Sequence, residues 1–229
     1  MLRYITFRTG AAVLTALLLS LAFGNPLIAW MRRWQGKGQP IREDGPASHF
    51  SKKGTPTMGG LLILGAVSIS LLLWGDLTNP FVLVAAGVTL AFGGIGFVDD
   101  FLKVKKHNPK GFPGLLRLAL QGAVALAAYW AIRPHLPEHL QTTVAVPFFK
   151  DLLIPLGMLF PLFAMLVIVG AGNAVNLTDG LDGLAGGAVL VAASCFALIT
   201  YLVGNAVFAG YLQLHAVPGS GELTVYCGA

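Results

Sequence analysis

Long stretches of this chain carry no charged residue, and that decides the solvent most of it must face. Met58 to Gly75, Asn79 to Val98, Leu152 to Thr178 and Gly183 to Gly221 contain no Asp, Glu, Lys or Arg. Thr9 to Met31 is uncharged between Arg8 and Arg32, and Leu118 to Ile132 is uncharged between Arg117 and Arg133. A helix needs roughly 20 apolar residues to span a bilayer. The shortest run is extended by flanking arginines, whose stems can reach along apolar surface to the interface. Six spans are predicted, near 11–30, 58–75, 80–98, 115–133, 153–172 and 186–204. The runs are continuously apolar rather than alternating, which excludes a strand barrel. The expectation is an all-α, polytopic transmembrane helix bundle forming one membrane domain over residues 1–229.

Composition agrees. Apolar residues are 55% of 229 and charged residues 11%, against about 25% charged in soluble domains. The two cysteines give no disulfide framework: Cys195 falls inside a predicted span and Cys227 near the chain end.

The net charge of +5 does not indicate nucleic acid, because of where the charge lies. Arg32, Arg33, Lys37, Arg42, Lys52 and Lys53 follow the first span, and Lys103, Lys105, Lys106, Lys110 and Arg117 follow the third; these are eleven of the fifteen basic residues. Basic loops stay cytoplasmic. Six spans put both loops, 31–57 and 99–117, on one side, with 134–151 and the tail after 205 on the other. Arg3 and Arg8 before the first run imitate a signal peptide, but the six basic residues that follow outweigh them and no small-residue cleavage site ends the run.

Three loops on the predicted cytoplasmic side hold the chemistry. The first ends Ser51-Lys52-Lys53-Gly54-Thr55-Pro56-Thr57-Met58-Gly59-Gly60. Lysines and flexible backbone amides suit phosphate oxygens, although charge alone fits a positive-inside anchor turning into the next helix. The second begins Phe97-Val98-Asp99-Asp100-Phe101-Leu102-Lys103. Acids beside a membrane need a partner or a task. A divalent cation can hold adjacent carboxylates together, and Mg²⁺ favours one or two carboxylates plus substrate phosphates. Lys103 shares a helical face with Asp99, so a solvated helix end with an internal ion pair is the alternative.

The third loop runs from Asn173 to Gly187 and has no Lys or Arg. It sets Asn176, Thr178, Asp179 and Asp182 among glycines that let a ligand approach the backbone. Asp179 and Asp182 would share a face of a helical turn. Asn176-Leu177-Thr178 matches a glycosylation sequon, which the cytoplasmic position makes irrelevant.

Together the stretches GTPTMGG (Gly54–Gly60), the Asp99–Asp100 pair and NAVNLTDGLDGLA (Asn173–Ala185) resemble the phospho-N-acetylmuramoyl-pentapeptide-transferase family. That family lies within the polyprenyl-phosphate N-acetylhexosamine-1-phosphate transferases. The resemblance implies a Mg²⁺-dependent reaction at the cytoplasmic face of the bacterial inner membrane. Undecaprenyl phosphate attacks the β-phosphate of UDP-N-acetylmuramoyl-pentapeptide, and UMP leaves. The product is the first lipid intermediate of peptidoglycan synthesis. The resemblance is also compatible with a homodimer in the lipid bilayer.

By resemblance, Asp99, Asp100 and Lys103 are catalytic, with Asp99, Asp100 and Asp179 toward the metal. Asn176 and Asp179 resemble residues near the diphosphate. Gly180, Leu181 and Asp182 resemble residues bordering uracil, and Lys52 and Thr57 resemble nucleoside-side contacts. Arg117 stands near a lysine of the relatives. Family members have ten spans, and a third essential aspartate, an aromatic that stacks on uracil and a histidine-rich loop fall beyond the match. The chain is therefore expected to be a C-terminally truncated form without turnover by itself.

Other functions remain open from the sequence: transfer of N-acetylglucosamine-1-phosphate, a transporter or channel, and a non-catalytic membrane partner. Acids at one membrane face rather than the midplane argue against the transporter.

Overall fold

A computed structural model describes residues 2–35, 58–106, 112–146, 149, 152–179 and 183–229. Six helices dominate: α1 (Ile5–Gln35), α2 (Gly60–Trp74), α3 (Pro80–Lys106), α4 (Gly114–Ile132), α5 (Phe160–Thr178) and α6 (Leu184–Val203). Two short ones follow, α7 (Ala206–Leu212) and α8 (Leu223–Gly228). All of the six but α2 are long and apolar enough to cross a membrane. The 15 residues of α2 rise only roughly 22 Å.

Local chemistry sets the boundaries. Asn79 accepts from the Phe81 and Val82 amides and Pro80 opens α3, a cap followed by a proline that has no amide to satisfy. Helix α3 runs past the first charges to Lys106, so Asp99 and Asp100 lie inside a helix and not in a loop. The fifth helix starts later than 153. Leu153–Pro155 is a strand, β2, paired antiparallel with β1 (Thr143–Ala145), Val144 opposite Ile154. Gly157 then turns with φ of +52°, and Pro161 enters the first turn of α5. Pro155 and this left-handed glycine separate an apolar run that reads as one helix.

Polar pairs between helices define the packing. Ser70 donates to the Ala12 carbonyl at 2.7 Å and Trp74 Nε1 to Thr15 Oγ1 at 2.9 Å, joining α2 to α1. Asn173 Nδ2 donates to Gln121 Oε1 at 2.8 Å, joining α5 to α4. Residues after 205 do not form a simple tail: α8 returns against α1 and α6, Glu222 pairs with Arg8, and the Thr89 and Tyr226 hydroxyls meet. Gly204 permits this return, since a Cβ there would lie 2.3 Å from the Gly221 amide nitrogen. Helices α5 and α6 bury no residue completely: Phe160 packs on Tyr129 of α4, while Leu162, Leu166, Leu190 and Leu198 are exposed.

Successive helices from α1 to α6 run antiparallel, giving the bundle two ends. Gln35–Met58, Trp34–Phe101 and Asp99–Phe112 meet at one. Arg8–Trp74, Asn79–Gly219 and Arg133–Gln141 meet at the other. Residues 35 and 58, 106 and 112, and 179 and 183, which border 36–57, 107–111 and 180–182, belong to the first end.

Candidate active site

The last two turns of α3 form the centre of that first end. Asp99 is 6% exposed and faces α4. Its Oδ2 lies 2.6 Å from Lys103 Nζ and 3.9 Å from Arg117 Nη1. Its Oδ1 accepts the Phe112 amide at 2.7 Å. Lys103 Nζ also reaches Asp100 Oδ1 at 3.3 Å. One ammonium thus lies between the adjacent carboxylates. The divalent cation predicted to hold the pair together is not needed for that purpose: Lys103 neutralises the repulsion.

The cluster is balanced, with two carboxylates, an ammonium and a guanidinium. It is also incompletely bonded. Arg117 Nε is buried and has no hydrogen-bond partner among the described residues, and Arg117 approaches Asp99 beyond hydrogen-bond length. A buried donor without an acceptor costs roughly 1–3 kcal/mol.

One turn along α4 from Arg117, Gln121 is buried and accepts from Asn173. Asn173 also donates to the Val169 carbonyl at 2.8 Å. This bond fixes the rotation of α5 near the point where its C-terminal turn presents Asn176 and Asp179. Both are exposed, and Asp179 is the C-cap residue of α5. Carbonyls at a helix C-terminus carry partial negative charge, so Asn176 and Asp179 suit a cation or hydrogen-bond donors.

The structure therefore brings Asp99, Asp100 and Lys103 together and places Asn176 and Asp179 at the same end. Lys52, Thr57, Gly180, Leu181 and Asp182 lie outside the described residues. Sequence reasoning named Asn173 as the start of the third motif without a role and missed two members. Gln121 was visible as a lone amide inside an apolar run. The Phe112 amide carries no side-chain signal.

As magnesium ligands these carboxylates differ in what they already bind. Asp99 accepts from Lys103 through one oxygen and from the Phe112 amide through the other, which leaves one lone pair on each. Asp100, partly exposed and 3.3 Å from Lys103, and the exposed Asp179 also fit by donor type. Among the described residues no group of three or more His, Cys, Asp or Glu could hold a metal. Any ion would need substrate oxygens as well, which is how Mg²⁺ is commonly held.

The family model of glycosyl transferase family 4 matches residues 82–220. That of phospho-N-acetylmuramoyl-pentapeptide-transferase signature 1 matches residues 52–64. The chain is 58% identical over 228 residues to the phospho-N-acetylmuramoyl-pentapeptide-transferase of Granulibacter bethesdensis, covering 99% of the chain and 63% of the relative. Proteins of the same name from Gluconacetobacter diazotrophicus and Rhodopseudomonas palustris are 56% and 55% identical, with the same coverage. The chain thus spans 63% of the length of these curated relatives.

Proposed function

The chain belongs to glycosyl transferase family 4, and from that membership we propose that it carries out the chemistry named by its relatives. Phospho-N-acetylmuramoyl-pentapeptide passes from its UDP-linked donor to undecaprenyl phosphate. An acceptor phosphate oxygen attacks the donor β-phosphorus, the bond from that phosphorus to the bridging oxygen breaks, and UMP leaves with that oxygen. The observation that carries this reading is the Asp99–Lys103–Asp100 cluster, with Arg117 beside it, at the bundle end that also holds Asn176 and Asp179.

An acceptor embedded in lipid and a soluble, charged donor meet only at a membrane face. We assign the Asp99 end to the cytoplasmic face of the bacterial inner membrane, because basic loops stay inside. Phosphoryl transfer depends mainly on positioning and on charge stabilisation. The acceptor monoester has a second pKa of about 6 and is largely dianionic at neutral pH, so no strong base is required. Asp99 acts here as a positioning residue: it holds Lys103 and Arg117 where their positive charge meets phosphate. Asp100 and Asp179 would hold Mg²⁺ together with the diphosphate, and the ion would neutralise charge developing there. Asn176 presents an amide to the diphosphate, and Lys52, Thr57, Gly180, Leu181 and Asp182 border the nucleoside.

The test is formation of radiolabelled lipid product by the full-length protein from labelled UDP-N-acetylmuramoyl-pentapeptide, with Asp100→Asn as control. Lipid product that depends on Asp100 supports the reading, and its absence rejects it. Competition with UDP-N-acetylglucosamine separates the related sugar-phosphate transferase. The wording of the 52–64 match favours the muramoyl donor.

A further inference from the structure

The connection between α4 and α5 holds a small hairpin that is apolar and uncovered. Strands β1 and β2 pair antiparallel, and the Val146 amide donates to the Leu152 carbonyl at 3.1 Å. No residue of either strand is buried. Around them Phe149 is 64% exposed, Leu159 65% and Met158 99%, and Leu152 and Ile154 are exposed too. A two-stranded hairpin alone is marginally stable in water at best. This one, three residues to a strand and open on both faces, needs a covering.

Contacts around the hairpin set its depth. At the end of α4 the Arg133 guanidinium lies 5.2 Å from the Trp130 ring centroid, and Trp130 is exposed. Tryptophan and a snorkelling arginine at a helix end mark the headgroup level. The Phe160 ring meets the Tyr129 ring at 5.6 Å, so α5 begins about one turn deeper than Arg133. From Phe160 to Gly172, just before Asn173, α5 rises only roughly 20 Å. A hydrocarbon core is about 30 Å thick. Roughly 10 Å of apolar thickness is thus left to what precedes Phe160, and 152–159 carries no charged residue. Depth is also limited from the other side. Each strand has an unpaired edge, and open backbone N–H and C=O groups do not enter the hydrocarbon core. Pro155, without an N–H, removes one such group.

We propose that the β1–β2 hairpin and the turn through Leu159 lie on the lipid of the leaflet opposite the Asp99 end, at the boundary of headgroups and acyl chains. Apolar segments at that boundary sink about 5–10 Å, which matches the thickness that α5 leaves unfilled. Continuity of surface names lipid as the partner. The hairpin's second strand joins α5 without an intervening charge, and Leu162 and Leu166 of α5 are exposed. The open apolar surface therefore runs from a helix long enough to cross the membrane onto the hairpin. Lipid contact gives the strands their covering and completes the apolar length of the fifth span.

The test places the full-length protein, its other cysteines replaced by serine, in phosphatidylcholine vesicles with bimane on Ile154→Cys or Met158→Cys. Leu166→Cys in α5 is the deep reference and Glu138→Cys the aqueous one. Quenchers are phosphatidylcholine with a nitroxide near the top of its acyl chain, the same lipid with the nitroxide near mid-chain, and iodide in solution. Both hairpin probes should be quenched about twofold or more better by the shallow nitroxide than by the deep one. Iodide should quench them about threefold or more less than the Glu138 probe, and the Leu166 probe should respond most to the deep nitroxide. Iodide quenching as strong as at Glu138 puts the hairpin in water and overturns the proposal. Shielding of either hairpin probe from both lipid and iodide shows that protein covers it, whether a later part of the chain or a second copy, and overturns it too. Stronger quenching by the deep nitroxide sinks the hairpin into the core and overturns its place at the boundary.

Discussion

Lys103 Nζ sits 2.6 Å from Asp99 Oδ2, four residues away on the same face of α3. The same nitrogen is 3.3 Å from Asp100, so the two aspartates are unequal partners of one cation. This inequality predicts different phenotypes. Asp100→Asn removes a carboxylate assigned to the metal side and should raise the magnesium concentration for half-maximal product formation about tenfold or more. The basis is that mutating even the residues that support a metal ligand typically costs about 10–100-fold in metal affinity, and a ligand matters at least as much. Asp99→Asn should lower the turnover rate without moving that concentration, because it loosens Lys103 and Arg117. Magnesium titrations of both variants check this, and matching shifts would make both aspartates metal ligands.

The Asn173–Gln121 bond should contribute to stability rather than to chemistry. Interhelical hydrogen bonds in membrane proteins average about 0.6 kcal/mol, with a maximum of about 1.7. A double-mutant cycle with Asn173→Leu and Gln121→Leu, measured by reversible unfolding in bicelles, should give a coupling of that size. Asn173→Leu should also weaken donor binding, since it frees the rotation of the turn that presents Asn176 and Asp179. Coupling near zero would show that α4 and α5 are held by apolar packing alone.

What was legible in advance follows from how local each interaction is. The Asp99–Lys103 pair was visible because i and i+4 share a helix face whatever the tertiary structure. The approach of Arg117 to Asp99 was not, because it depends on how the chain turns between α3 and α4. Counting apolar residues ended the third span at the first charge, yet backbone hydrogen bonding continues to Lys106, helped by the same i,i+4 pair. Pro155 and Gly157 were visible inside the fifth run, but hydropathy does not weigh them, and so the start of α5 was placed too early. The contact of Trp34 with Phe101 escaped notice because the two lie on different helices, 67 residues apart in sequence, and meet only on folding.

Asp182 carries the donor-side prediction. In the family that this chain resembles, its counterpart borders uracil, and a carboxylate can accept from the uracil ring N–H. Removing one hydrogen bond to a charged group costs roughly 1.5–3 kcal/mol, which is about ten- to a hundredfold in affinity. Asp182→Ala in the full-length protein should therefore raise the apparent donor constant by that factor and leave the acceptor constant unchanged. An unaltered donor constant would remove Asp182 from the nucleoside site.

The orientation of the bundle yields the last prediction. Helix α1 ends at Gln35 and the next described residue, Met58, contacts it, so Ser51 belongs to a connection between residues at the Asp99 end. Thr142 follows α4 and adjoins strand β1, near Gln141, which binds Arg133 at the opposite end. Basic residues concentrate in the connections at the Asp99 end, and basic loops are retained in the cytoplasm. With Cys195 and Cys227 replaced by serine, single cysteines at Ser51 and Thr142 are treated in whole cells and in inverted vesicles with a membrane-impermeant maleimide. Thr142→Cys should label in cells and Ser51→Cys only in inverted vesicles. Labelling of both from one side would break the antiparallel order of the helices. Labelling in the reverse sense would put Asp99, Asp100 and Lys103 on the face that a soluble nucleotide-linked donor does not reach, and with it the proposed transfer would fail.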